Sequence, residues 1–275
     1  MCRPIQHESF CFLNLLHLLV HGVAREPDDL QPVHQPGALA LGEDLAQHVQ
    51  GGVARRITTS PGLELFPKFS PDGKWIAFTG QYDGNFNVYV MPASGGQPKQ
   101  LTWWPDIGEI PERMGPNNEV IAWTPDSKWI VFLSRHDTFN TWFGRLWKVS
   151  VDGGLPERLP LFRGGLTSYS PDGTKIAYNP IFRNFRTWKR YRGGMAQDIW
   201  IYDLKNVSSE RLTDYPGTDT YPMWHGDTIY FLSDRGASER YNIWAYDIAT
   251  KATRQVTQIE DFDVRAKLLL HLADR

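Results

Sequence analysis

From residue 51 onward the chain alternates short apolar runs with turn-forming residues in a regular rhythm. KWIAFTG (74–80), KWIVFLS (128–134), TKIAYNP (174–180) and TIYFLSD (228–234) each follow a tight-turn sequence. Those turns read SPDG (70–73), TPDS (124–127), SPDG (170–173) and HGDT (225–228). A second run then carries Trp or Tyr at its centre: NVYVMP (87–92), RLWKVSV (145–151), DIWIYDL (198–204) and NIWAYDI (242–248). A further element closes each unit: KQLTWWP (99–105), ERLPLF (157–162), ERLTDYP (210–216) and RQVTQIE (254–260). β-Branched and aromatic residues dominate and no 3.6-residue period persists, so the runs predict strands rather than helices. Trp75 and Ala77 alternate with Ile76 and Phe78, which makes both faces apolar and predicts strands covered on both sides.

The elements recur as a unit. Ile57, in an orphan copy RRITTSP (55–61), is followed by Leu101, Leu159, Leu212 and Val256 at intervals of 44, 58, 53 and 44 residues. Self-similarity at this period, with four short strands per unit, predicts an all-β protein built of β-propeller blades rather than a two-layer sandwich. The turn chemistry agrees. Pro71 sets φ on entering the turn, Asp72 is suited to bind nearby backbone N–H groups, and Gly73 accepts positive φ. Ser127 stands where glycine is expected, so that turn is either different or strained.

Composition narrows the function. Of 275 residues, 41% are hydrophobic and 22% charged, as in a soluble globular protein. The net charge of −2 argues against a nucleic-acid or anionic-membrane protein. Cys2 and Cys11 are the two cysteines, so a disulfide framework is excluded. Residues 1–50 do not share the repeat and read as an atypical N-terminal segment, either poorly ordered or a degenerate first blade. Within them FCFLNLLHLLVHG (10–22) is too short to span a bilayer as a helix. Arg3 before it and Gly22-Val23-Ala24 after it permit a signal-peptide reading, which would imply a periplasmic location instead of a cytoplasmic one. His17 and His21 stand at i,i+4 with no third ligand nearby, so no metal site is expected.

Between the second and third runs of the third unit, residues 182–192 place Phe182, Phe185, Trp188 and Tyr191 among Arg183, Arg186, Lys189, Arg190 and Arg192. Three readings apply. The stretch is an ordered insertion whose cations stack on aromatics and reach carboxylates. It is a surface that grips an anion, above all a peptide carboxylate, through guanidinium forks. Or it binds single-stranded nucleic acid, which the charge balance opposes.

The SPDGKWIAF type of unit resembles the repeats of TolB-type, oligopeptidase and tricorn propellers. RNFRTWKRYRGG followed by DIWIYDL, together with GGVARRITTSPG (51–62), ERMGPNN (112–118) and TDTYPMW (218–224), resembles the tricorn protease family. The resemblance covers residues 51–264 and leaves 265–275 as a tail. It implies the first, six-bladed propeller of a large serine peptidase, of which four complete blades stand here in an incomplete ring. It also implies that Arg113, in the 105–118 loop, holds a substrate's C-terminal end, although Glu112 beside it would weaken that grip by repulsion.

No G-x-S-x-G elbow, P-loop, dinucleotide fingerprint, zinc set or EF-hand loop is present. Catalysis, a cofactor and a metal are therefore not expected. Ser168 reads as structural, His136 and His225 as single loop histidines, and Asp83, Asp137 and Asp234 as turn and surface residues. The expected role is gating or docking of peptides and of the missing peptidase domains, with self-association through uncovered blades. An independent TolB-like interaction propeller is the alternative.

Overall fold

The computed structural model describes residues 57–104, 117–137, 144–181 and 190–264, so residues 1–50 and 265–275 lie outside the description. The described elements are all strands, in four antiparallel sheets. Blade 1 contains β1 (Glu64–Phe69), β2 (Trp75–Gly80), β3 (Asn87–Pro92) and β4 (Lys99–Gln100). Blade 2 contains β5 (Glu119–Trp123), β6 (Trp129–Ser134), β7 (Arg145–Ser150) and β8 (Glu157–Arg158). Blade 3 contains β9 (Thr167–Tyr169), β10 (Lys175–Tyr178), β11 (Trp200–Asp203) and β12 (Ser208–Arg211). Blade 4 contains β13 (Asp219–His225), β14 (Thr228–Ser233), β15 (Asn242–Asp247) and β16 (Thr253–Gln255). Each sheet runs in chain order, and the first strands of successive blades lie side by side, β1 against β5, β5 against β9 and β9 against β13. The four blades form a β-propeller.

Period-2 alternation builds the core between blades. On β6, Ile130 and Phe132 face Ala77, Val88, Val90 and Leu101 of blade 1. Val131 and Leu133, one position out of phase, face Tyr169, Ile176, Tyr178 and Tyr202 of blade 3. Ala177 and Ile199 of blade 3 meet Ile229 and Phe231 of blade 4. A single strand thus serves two cores, which is why its sequence is apolar at nearly every position.

The predicted turns form through short-range bonds. Ser70 Oγ donates to Asp72 Oδ1 at 2.6 Å, and the same oxygen accepts from Lys74 N–H at 3.1 Å. Ser170 and Asp172 repeat this at 2.6 Å, and Thr124 and Asp126 do so at 2.6 Å. Gly73 and Gly173 adopt φ of 71°, and Ser127 adopts 59° in the same turn, so the strained alternative holds there. Its hydroxyl accepts from Asp72 N–H at 3.1 Å and so ties blade 2 to blade 1. The HGDT turn differs. His225 pairs directly with Thr228, leaving a two-residue hairpin turn with Gly226 at φ 53°.

A second recurring device lies at the outer strand. The threonines of QLT, RLT and QVT accept from N–H groups in or just before the third strand: Thr102 from Val88 at 2.9 Å, Thr213 from Ile199 at 3.0 Å and Thr257 from Ile243 at 2.9 Å. Blade 2 has Pro160 at this position.

The innermost strands carry features the repeat did not announce. β1 and β13 each contain a bulge in which two residues oppose one. Phe66 and Tyr221 sit in the bulges at φ 54° and 56°, each followed by proline. An innermost strand has one free edge, so a residue without an N–H group is tolerated there.

Candidate functional site

By strand direction, the connections from second to third strand and from fourth strand to the next blade share one end of the blades. The β10–β11 connection, residues 179–199, bears the Arg-rich stretch. Arg190 and Arg192 are described and turn towards blade 4. Arg113, Arg183, Arg186 and Lys189 lie outside the described residues.

Arg192 Nη1 donates to Asp234 Oδ2 at 2.9 Å, and Nη2 donates to the Tyr215 hydroxyl at 3.0 Å. The guanidinium carbon stands 5.3 Å from the centre of the Tyr215 ring. Asp234 immediately follows β14. It is 1% exposed, and its other oxygen accepts from Thr218 N–H at 3.0 Å. The surface role expected for Asp234 is therefore corrected: the chain entering blade 4 buries it against Arg192. The bond to Asp234 raises the Arg192 pKa above its ordinary value. Gly217 fits beneath this pair, where a Cβ atom would lie 2.4 Å from Asp234 Oδ1 and 2.6 Å from Arg192 Nη1.

Arg190 Nε stands 3.5 Å from Glu239 Oε2, and Arg192 Nη2 stands 3.6 Å from Glu239 Oε1. One carboxylate thus lies between two guanidinium groups. Beside them is a more buried pair. Arg235 Nη2 is 2.5 Å from Asp219 Oδ2, and the Arg235 guanidinium lies 5.1 to 5.3 Å from the rings of Tyr215, Phe231 and Trp244. Burial pushes the Asp219 carboxyl above the usual carboxylate range, against the pull of Arg235. Burial likewise raises Asp198, which Arg211 meets at 3.0 Å.

Other expected candidates take structural places. Ser168 Oγ accepts from Trp224 N–H at 2.9 Å and joins blades 3 and 4. Asp137 Oδ2 accepts from both Arg145 and Arg158 at 3.1 Å. His136 stacks on Trp104 with ring centres 4.0 Å apart. Among the described residues no group of three or more His, Cys, Asp or Glu could hold a metal ion.

Residues 39–269 match the family described as the tricorn protease N-terminal beta propeller domain. The chain belongs to this family. It is 34% identical over 189 residues to Tricorn protease homolog 1 of Streptomyces coelicolor, a match spanning 68% of this chain and 16% of that protein. It is 26% identical over 157 residues to a Sulfurisphaera tokodaii protein named as a tricorn-like protease N-terminal subunit, spanning 55% of this chain and 73% of that one. The solved structure of the tricorn protease superposes with a TM-score of 0.64 at 22% identity, over 78% of this chain and 20% of that chain. The chain thus spans a fifth or less of the larger relatives' length.

Within this tricorn-type propeller, sequence reasoning did not reach Tyr215, Asp219, Arg235 and Glu239. The signal available was local: SDRGASER (233–240) places four charges directly after a strand, at the end of the blades where the Arg-rich connection emerges.

Proposed function

We propose that this tricorn-type propeller docks peptides for a serine-type peptidase and does not itself cut them. Arginine forks suited to carboxylates converge at the blade 3–blade 4 boundary, on the end of the blades from which the β4–β5 connection bearing Arg113 also departs. Arg192, held ready by Asp234 and Tyr215, is the observation that carries this reading. A fork already oriented by its surroundings loses little freedom on binding a peptide carboxylate. Arg190 extends this surface, and Arg113, Arg183, Arg186 and Lys189, which lie outside the described residues, are the further substrate contacts of this proposal. The catalytic and remaining propeller domains of a tricorn-like assembly are the proposed partners, in the cytoplasm. The Sulfurisphaera relative, named as a subunit, supports a propeller that works beside a separate chain.

The test uses the full chain and a fluorescein-labelled apolar pentapeptide with a free C-terminus. Binding by anisotropy is expected, without hydrolysis and without labelling by a serine-directed fluorophosphonate. Hydrolysis abolished by that reagent would overturn the non-catalytic part, and absence of binding at millimolar peptide would overturn docking.

A further inference from the structure

This inference rests on the docking reading and concerns how its anion site is filled when no peptide is present. We infer that Arg190 and Arg192 form a carboxylate-binding site, and that the Glu239 carboxylate is its built-in, displaceable occupant.

Three observations carry this. The first is the contrast between contacts in one cluster. Arg192 meets Asp234 at 2.9 Å and Arg235 meets Asp219 at 2.5 Å, with both carboxylates buried. Glu239 stands 3.5 and 3.6 Å from its two arginines with its side chain 52% exposed. Those separations exceed a good N–H···O hydrogen bond. The Arg190 Nε contact to the Glu239 carbonyl, at 3.4 Å, is equally long. Glu239 therefore sits in an electrostatic well without the bonds that would lock it there.

The second observation is the backbone. Glu239 closes a turn in which its N–H donates to Gly236 O at 2.9 Å, and it adopts φ 49°, a region that side chains with a Cβ disfavour. Withdrawing the side chain opens no core. The third is that Arg192 is held in place by groups other than Glu239. Arg192 is fixed by Asp234, by stacking on Tyr215 and by the close approach of Gly217. A carboxylate replacing that of Glu239 would meet two guanidinium groups, of which that of Arg192 is already oriented by Asp234 and Tyr215.

A peptide's C-terminus and an acidic side chain offer the same chemistry, and the experiment separates them. Anisotropy is measured on the full chain with three labelled apolar pentapeptides: one with a free C-terminus, its C-terminal amide, and the amide carrying one internal glutamate. An exposed ion pair outweighs its open form by a factor of about two to five. Glu239→Gln should therefore bind the free-acid peptide about three-fold more tightly than wild type, with the gain shrinking as salt rises. Glu239→Asp, one methylene shorter, should show part of the gain. Arg190→Gln should abolish the gain in the Glu239→Gln background, and the plain amide should show none. A gain for the glutamate-bearing amide assigns acidic side chains as ligands too, and no gain there restricts the site to C-termini.

Peptide binding by wild type that Glu239→Gln and Glu239→Asp leave unchanged would overturn the built-in occupant while docking stands. Binding that Arg190→Gln leaves unchanged would overturn the site and place docking elsewhere. Absence of binding by every form would overturn both readings. Glu239 and Arg190 are partly exposed, so unchanged thermal transitions are expected and confirm that the variants are folded.

Discussion

Arg235 reaches Asp219 across blade 4, with Nη2 2.5 Å from Oδ2, and carries its charge into a cage of three aromatic rings. The pair begins β13 and follows β14, so it clamps the two strands at the end of the blades that holds the candidate site. Replacing Arg235 with Ala leaves a buried carboxylate without its counter-charge. The expected cost is about 3–5 kcal/mol, read as a lower urea midpoint. Adding Asp219→Asn should recover part of the loss, because the uncompensated charge is then gone.

Gly217 tests the neighbouring pair. A methyl group there would collide with both Asp234 and Arg192. Gly217→Ala should cost about 1–3 kcal/mol by overpacking and should weaken peptide binding, since Arg192 must move. Calorimetry and peptide anisotropy on the same samples check both effects.

Ser127 combines strain with a useful bond. Ser127→Gly relieves the positive φ but loses the hydroxyl that accepts from Asp72 N–H, so its stability should stay within about 0.5 kcal/mol of wild type. Ser127→Ala keeps the strain and loses the bond. It should fall about 1 kcal/mol below Ser127→Gly in thermal unfolding.

The outer-strand threonines should be unequal to their blade 2 counterpart. Thr102→Val strands the Val88 N–H and the Asn87 side-chain oxygen that Thr102 Oγ1 donates to, both buried. The expected loss is about 1–3 kcal/mol. Pro160→Val, at the exposed equivalent position, should change stability by less than about 0.5 kcal/mol. Denaturant midpoints of the two variants provide the comparison.

Acid should act on the turns. The Asp172 carboxyl is lowered to about 2 by the Ser170 hydroxyl and then by Thr174, and those of Asp72 and Asp126 are lowered by Ser70 and Thr124 in the same way. A folded pKa below the unfolded one gives stability that is present above about pH 4 and lost as pH falls towards about 2. Replacing all three aspartates with Asn should flatten the dependence of the unfolding midpoint across that window. A slope equal to wild type would contradict the assignment.

Much of the fold was legible because its cause is local. The bonds Ser70–Asp72 and Ser170–Asp172 span two residues, so SPDG carries its own geometry wherever it occurs. Alternation on β2 announced that both faces are covered, and the second and third strands appeared where the repeat placed them. The innermost strands were harder to read. ELFPKF and DTYPMWH contain proline and bulges that break alternation, and TSY is too short to show any. Ser168 was recognised as structural, yet its partner, the Trp224 N–H, is 56 residues away and had no local signature.

The amino-acid sequence alone determined that four similar blades form, because turn chemistry and period-2 burial act within a few residues. It also marked the β10–β11 connection as a concentration of arginines. Tertiary structure decided which carboxylates those arginines meet: Asp234 lies 42 residues beyond Arg192, and Glu239 lies 49 beyond Arg190. These residues become neighbours when blade 4 stacks beside blade 3. That stacking turned Asp234 from an apparent surface residue into the buried anchor of the site, because a charge's surroundings depend on which blade packs over it.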